Sequence, residues 1–363
     1  MKIIHTADIH LSSKMTAFLT EKKAAERREE ITGTFFNLVE FAKQNEVRAI
    51  IIAGDFFDSA DFVQSSTVKR INFIISSAPK IDFLYLRGNH DENTTFLDEK
   101  NLPNLKTFSY KNWKKYSYQE KNQIVDIYGL ETKTSIPDEF YNSLKTEKSN
   151  VNIAILHGQT ASYRTKDTAA EISLPKLQMK NLDYLALGHI HEFKIEKLDN
   201  RATWCYSGCL EGRGFDECGK KGFVLLEIEN HKISQKFIPF AKRTFHEINA
   251  ELSENMDYSK ILNTILQKIS DFPKKDIIQI NLTGEISEET QIDLFSFQEH
   301  LKSLDFYFAK IKDKTSKKID FQKYENELSL KGEFIRLVKS QKNLDEKEKS
   351  EIILTGIKAL KGI

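Results

Sequence analysis

Cysteine is scarce in this chain: Cys205, Cys209 and Cys218 are the only three among 363 residues. Their number is odd and no pair has C-x-x-C spacing, which argues against a disulfide framework or a zinc ribbon and leaves three inert thiols. Long apolar runs are lacking too. None approaches the roughly 18 residues that a membrane span needs, so no membrane role is expected. The opening Met1-Lys2-Ile3-Ile4-His5 passes into Asp8 and His10 with no room for the apolar core of a signal peptide, and the expected location is the cytoplasm. Nor is there an excess of charge of either sign. Basic residues number 54 against 53 acidic ones, a net charge of +1. A polyanionic substrate would therefore have to be met by local patches or by metal ions, and net charge neither supports nor excludes nucleic acid.

What is present describes a globular protein, with 40% hydrophobic and 29% charged residues. The length exceeds that of one ordinary core, so a large first domain with smaller additions is expected. Short apolar runs alternate with helical patterns over the first 240 residues, the mark of an α/β fold. Strands are expected at Lys2 to Ala7, Val47 to Ala53, Asp82 to Leu86, Ile124 to Tyr128, Val151 to Leu156 and Tyr184 to Leu187. Between the first two, Ile31, Phe35, Leu38, Val39 and Ala42 repeat at helical spacing, which puts a helix on the sheet. Domain boundaries are expected at 1–242, 243–315 and 316–363. The middle segment reads as a small α/β domain, with helices marked by Tyr258 to Ile269 and Ile292 to Leu301 and strands at Ile277 to Leu282 and Phe306 to Ile311. The last is Lys-rich and helical.

Five short motifs fall where expected strands stop: Asp8-Ile9-His10, Gly54-Asp55-Phe56-Phe57-Asp58, Gly88-Asn89-His90-Asp91, His157-Gly158 and Gly188-His189-Ile190-His191. Binding crevices in open α/β sheets form beyond the carboxyl ends of strands, so residues far apart in sequence can meet there. The donors are carboxylates, imidazoles and one carboxamide, without thiolate, a mixture suited to manganese, magnesium, iron or zinc. Seven candidate ligands are too many for one tetrahedral ion, and two ions sharing a carboxylate would use them economically. Glycine before Asp55, Asn89 and His189 permits tight turns and close approach. Each motif alone is weak. Together they hold five of the nine histidines, in an order that coincidence rarely produces.

That order, D-x-H, G-D-x-x-D, G-N-H-D, H-G, G-H-x-H, resembles the calcineurin-like metallophosphoesterase superfamily. His5-Thr6-Ala7-Asp8-Ile9-His10-Leu11, Ala186 to His191 and Tyr206-Ser207-Gly208-Cys209-Leu210-Glu211-Gly212-Arg213-Gly214 resemble its SbcD and YhaO type of DNA-repair exonucleases. The resemblance implies two packed mixed β-sheets flanked by helices, followed by a small α/β capping domain that binds DNA and a C-terminal helical segment. It implies two divalent ions, most readily Mn2+. One would be held by Asp8, His10, Asp55 and His191 and the other by Asp55, Asn89, His157 and His189, with a hydroxide between them as nucleophile. His90 would protonate the leaving oxygen, its ring fixed by Asp58 or Asp91. Archaeal and eukaryotic members carry a histidine at the position of Asp58, whereas bacterial ones resemble this chain. DNA, an SMC-like coiled-coil ATPase and a second copy of the nuclease are the implied partners.

Weaker signals have plainer readings. Tyr110 to Tyr118 interleaves basic and aromatic residues, either a stacking platform for single strands or an amphipathic edge strand. Arg213, Lys220 and Lys221 lie in a Gly-rich loop that either meets phosphate or is simply solvated. His5, inside a strand and not at its end, reads as a core residue or one that supports a ligand from behind, and not as a ligand itself. Phe321, Tyr324, Leu328, Phe334, Leu337 and Val338, then Ile352 to Leu360, mark two helices joined near Lys342 to Asp345, with Asp345 and Glu348 as a capping pair. These helices either pack on the chain itself or dock on the ATPase. A stand-alone phosphatase or cyclic-nucleotide phosphodiesterase is the alternative function, and an inactive binding protein is a third.

Overall fold

The computed structural model describes all residues except 16–17, 60–62, 93–96, 98–100, 134, 166–167, 288–289, 319–327 and 361–363. Two units divide it, Met1–His246 and Glu247–Ile363. In the first, the runs at Val47–Ala53, Asp82–Leu86, Val151–His157 and Tyr184–Gly188 are almost wholly apolar and become strands buried on both faces, as parallel strands covered on two sides must be. One six-stranded sheet has the order Lys232–Pro239, Gly222–Glu229, Lys2–Thr6, Val47–Ala53, Asp82–Leu86, Leu105–Thr107. The other runs Lys194–Lys197, Thr203–Tyr206, Tyr184–Gly188, Val151–His157, Gln123–Gly129, Lys114–Glu120. Both are mixed. Lys2–Thr6, Val47–Ala53 and Asp82–Leu86 are mutually parallel in the first, as are Val151–His157 and Tyr184–Gly188 in the second, so their carboxyl ends gather at one edge of each sheet.

Strand alternation sorts the side chains. Ile3, Ala49, Ile51 and Leu84 face Ile127, Ile153, Ile155 and Ala186 in one core between the sheets. The fold is thus α/β with two packed sheets. The helix Glu21–Gln44 buries Ile31, Phe35, Leu38 and Val39, with the Phe35 ring 6.4 Å from that of Phe83 and 5.0 Å from that of Phe56. Each such side chain contributes about 1.5–3 kcal/mol by leaving water. On the outer face of the second sheet, Leu156, Leu185, Leu187 and Trp204 pack with Tyr141, Leu144 and Leu177.

Several strands lie beyond those expected from sequence. Gly222–Glu229 and Lys232–Pro239 form a hairpin whose turn residues, Asn230 and His231, both adopt positive φ, 49° and 59°, the geometry that suits the strands' twist. The basic and aromatic stretch becomes the edge strand Lys114–Glu120, antiparallel to Gln123–Gly129. Its Tyr116 ring packs on Phe108, and its lysines discourage pairing with another sheet.

A sheet ordered Phe245–Glu251, Ile277–Thr283, Phe308–Asp313, which apart from Phe245 and His246 belongs to the second unit, sends Ile278, Ile280 and Leu282 into a core with Ile261, Ile265, Phe297 and Leu301 of the helices Tyr258–Ile269 and Leu294–Lys302. Two further helices, Leu330–Lys339 and Glu346–Leu360, pack on each other through Ile335, Val338, Ile353 and Ile357. The second begins with reciprocal capping: Asp345 N donates to Glu348 Oε2 at 2.9 Å and Glu348 N to Asp345 Oδ1 at 2.8 Å. The first starts after the cap Ser329, so Leu328 precedes it, while Phe321 and Tyr324 lie outside the described residues. Among the described residues, no helix is long and apolar enough to cross a membrane.

Candidate metal centre

The turns that end the parallel strands are bound to one another before any side chain is considered. Asp8 N donates to Gly54 O at 3.0 Å, His10 N to Asp55 O at 3.0 Å and Leu11 N to Phe56 O at 2.9 Å. The buried Asp91 carboxylate accepts from Phe56 N at 2.8 Å, Gly88 N at 2.7 Å and the Tyr85 hydroxyl at 2.6 Å, locking the turn of Asp55 to that of Asn89. Asp8, His10, Asp55 and His189 all have left-handed backbones, with φ of 51°, 48°, 50° and 101°. Such conformations cost roughly 1–3 kcal/mol each and persist where the surroundings impose them, most often at functional sites. The preceding glycines are there for space. A Cβ on Gly54, which has φ of +96°, would stand 2.0 Å from His157 Nδ1, and one on Gly88 would stand 2.1 Å from Asp55 Oδ1.

Asp8, His10, Asp55, Asn89, His157, His189 and His191 are thereby brought together from both sheets. Donor atoms of Asp8, His10 and His191, of Asp55, His157 and His189, and of His10, Asp55 and His90 form three groups, each within 4.8 Å. Asp55 Oδ2 lies 3.3 Å from His157 Nε2 and 3.8 Å from His10 Nε2. Asp8 receives His189 N on both oxygens, at 2.9 and 3.1 Å.

The proton inventory calls for a cation. His157 Nδ1 donates to the carbonyl of Ala53 at 2.9 Å, so the Nε2 of a neutral ring has only a lone pair to offer Asn89 Oδ1 at 3.0 Å and Asp55 Oδ2. His10 and His191 likewise face each other through Nε2 at 3.1 Å, while their Nδ1 atoms face Asp58 at 2.9 Å and Glu217 at 2.7 Å. Donors bound to one ion at roughly 2.1 Å with perpendicular bonds stand about 3 Å apart. Without an ion the protein must hold protons instead. Burial pushes His157 down, but the attraction of Asp55 outweighs it and lifts its pKa to about 9. Burial raises Asp55 too, yet His157 holds it well below the usual carboxylate range. Asp8 is pushed up to about 6 by burial, against the pull of His191 and His157. His10 is held down to about 3 by burial and by the charge of Arg213. The donor set therefore fits divalent metal.

A family model described as calcineurin-like phosphoesterase matches residues 1–193, more than half of the chain. The chain belongs to that family.

This phosphoesterase is similar to the metallophosphoesterase YhaO of Bacillus subtilis, 24% identical over 75% of the chain and 67% of the relative. It is similar to the DNA double-strand break repair protein Mre11 of Methanosarcina acetivorans, 24% identical over 86% of the chain and 50% of the relative. To one component of the nuclease SbcCD of Staphylococcus saprophyticus it is 28% identical, over 66% of the chain and 69% of the relative. The chain spans about half the length of the Mre11 proteins from Methanosarcina that it matches.

Around the phosphoesterase centre three expectations are corrected. The ring of His90 is held by the backbone carbonyl of Asp58, at 2.7 Å from Nδ1, and not by the carboxylate of Asp58 or Asp91. The Asp58 carboxylate is drawn instead to Arg213 Nη1 at 2.8 Å and His10 Nδ1 at 2.9 Å, and that of Asp91 is consumed by backbone amides. Arg213 is no open phosphate contact: it also bonds Glu217 Oε1 at 2.8 Å. Lys221 is buried and donates to the carbonyl of His191 at 2.7 Å. Glu217 went unnoticed in the sequence, where no motif spacing ties it to His191. His5 is a core residue, its Nδ1 2.9 Å from the Tyr184 hydroxyl. The three cysteines are free thiols, and burial pushes Cys205 up to about 12.

Proposed function

We propose that this phosphoesterase is a two-metal phosphodiesterase that hydrolyses DNA. Asp55 carries the reading: one of its oxygens stands between the imidazoles of His157 and His10, at 3.3 and 3.8 Å, as a ligand shared by two ions must. Asp8, His10, Asp55 and His191 would hold one ion, and Asp55, Asn89, His157 and His189 the other. Donors of this mixture suit Mn2+ in particular. Bound ions supply charge to the phosphate and acidity to the attacking water. The chain's own contribution to proton transfer is His90. Because its Nδ1 donates to a carbonyl, its Nε2 is the atom left to face the substrate, and the protonated ring gives that proton to the departing sugar oxygen. Asp58 supports it through its backbone and His10 through its carboxylate.

DNA as substrate draws support from the names of the relatives, a nuclease component and break-repair proteins. It also draws on the second unit's sheet, as a capping domain for the nucleic acid: the half-buried Lys310 and the exposed Lys312 share a face with Gln279 and Asn281, which are buried and bonded to Glu247. Residues 316–363 are assigned to an SMC-like ATPase partner, with Leu330, Leu337 and Ile352 of the helical pair exposed by 70%, 61% and 40%. A cytoplasmic complex containing two copies of the nuclease follows from the same reading. The test is the purified chain with Mn2+, assayed in parallel on labelled DNA hairpins, mononucleotides and bis(p-nitrophenyl) phosphate. DNA cleavage that chelator removes and Asp55→Ala abolishes is expected. Preference for mononucleotides would make the protein a small-molecule phosphatase, and activity surviving exhaustive chelation would reject the two-metal mechanism.

A further inference from the structure

We infer that Glu217 and Asp58, joined by Arg213, are positioning residues that make the two metal positions unequal, so that the ion among Asp8, His10, Asp55 and His191 is the more tightly held. The inference rests on the two-metal reading above.

The two sides of the centre differ in what stands behind their imidazoles. His191 Nδ1 lies 2.7 Å from Glu217 Oε1, and His10 Nδ1 lies 2.9 Å from Asp58 Oδ1. A carboxylate hydrogen-bonded to Nδ1, as Glu217 is to His191, takes the Nδ1 proton, turns the Nε2 lone pair inward and makes the ring a stronger donor, whereas Asp58 acts on His10 by charge at close range. His157 Nδ1 is hydrogen-bonded to the neutral carbonyl of Ala53, at 2.9 Å, and the nearest carboxylate oxygen, Asp8 Oδ1, stands farther off at 4.0 Å. The fourth donor on its side, Asn89, is a neutral carboxamide.

The carboxylate pair is itself held in place. Arg213 reaches Asp58 Oδ1 with Nη1 and Glu217 Oε1 with Nη2, both at 2.8 Å. Glu217 Oε2 accepts from Arg213 N, also at 2.8 Å. Glu217 is 5% exposed, and its Oε1 also lies 3.2 Å from Arg213 Nε. One guanidinium thus fixes both carboxylates, each with an oxygen within 3 Å of an imidazole Nδ1, while the Lys221 ammonium lies on the His191 backbone carbonyl. Nothing comparable stands behind His157.

The test uses the chelator-treated full chain titrated with Mn2+, with bound ion counted by electron paramagnetic resonance and affinity measured by calorimetry. Wild type should bind two ions of unequal affinity. Glu217→Gln keeps the volume and removes the charge, and should weaken the tighter ion by about 10- to 100-fold while sparing the other; its chain should still fold, with a lowered melting temperature because the buried pair with Arg213 is broken. His191→Ala should lose the same ion, and adding Glu217→Gln to it should weaken binding no further, because Glu217 acts only through that ring. Glu217→Asp, which keeps the charge for Arg213 but withdraws the oxygen from His191, serves as the second variant should Gln not fold. It should weaken the same ion alone. Equal weakening of both ions, no weakening of either, additive effects with His191→Ala, or loss of the fold in both Glu217 variants would overturn the inference. A wild-type chain that binds no Mn2+ would instead overturn the two-metal reading.

Discussion

Replacing His5 with glutamine should remove one distinct share of the first unit's sensitivity to mild acid. The ring is fully buried, 2.9 Å from the Tyr184 hydroxyl, and burial holds its pKa at about 3 against an ordinary 6.5. Below pH 6.5 the unfolded chain takes up a proton that the folded protein refuses, so this group's contribution to stability falls as pH drops toward 3 and levels off there. With those two values and 1.36 kcal/mol per unit, the loss between pH 7 and pH 4 is about 3 kcal/mol. Glutamine has no such proton and still offers Tyr184 a hydrogen-bonding partner. The variant should therefore be less stable than wild type at pH 7, by about 1–2 kcal/mol for imperfect fit. At pH 4 it should equal or exceed wild type. Urea unfolding of both chelator-treated proteins at several pH values, followed by tryptophan fluorescence, reads this directly, since Trp113 and Trp204, the two tryptophans, both lie in the first unit. Other titrating groups are common to both proteins and largely cancel in the difference. A stability difference that stays flat from pH 7 to pH 4 would refute the reasoning.

Gly54→Ala should cost at least about 1 kcal/mol for the backbone alone, and its methyl group, 2.0 Å from His157 Nδ1, should displace that ring; metal content after Mn2+ loading is the measurement. His90→Gln should retain both ions but slow DNA cleavage by about 100-fold, with loss of an ion instead marking His90 as a ligand. Arg27→Met removes the fully buried guanidinium that bonds Glu30 at 2.5 Å and Glu211 at 3.0 Å. Because Glu30 keeps Arg243 at 2.6 Å and Glu211 keeps Thr34 at 2.7 Å, the cost should sit at the lower end for a broken buried pair, about 3 kcal/mol, measured by chemical denaturation.

The parallel strands were legible in sequence because burial on both faces leaves an uninterrupted apolar run, and each such run stops where Asp8, Asp55, Asn89, His157 or His189 begins its turn. Their meeting at one edge follows from parallel pairing. The final helix was legible for another local reason, the reciprocal Asp345 and Glu348 cap. What escaped notice depends on distant partners. Arg213 read as a loop residue that either meets phosphate or is solvated, because nothing near it in sequence shows that Asp58, 155 positions away, will claim it. Glu217 carries no motif, and the Gly222 to Pro239 hairpin turns on Asn230 and His231, a pair without the glycine that usually announces such a turn.

The seven clustered residues are shared between two sheets: Asp8, His10, Asp55 and Asn89 extend from one, and His157, His189 and His191 from the other. Contacts such as Asp55 with His157, at 3.3 Å, therefore cross from layer to layer and exist only at one inter-sheet separation. The side chains that set this separation, Ile51, Leu84, Ile127 and Ile155 among them, are hydrocarbon and offer no donor atom, yet they act as spacers whose thickness the centre reports. Trimming one lets the layers settle by a fraction of an ångström, a shift that oily contacts absorb and a polar constellation does not. Chemistry at the rim is in this sense a gauge of how well the interior is filled, and variants that fold normally yet work poorly should be sought among these spacers.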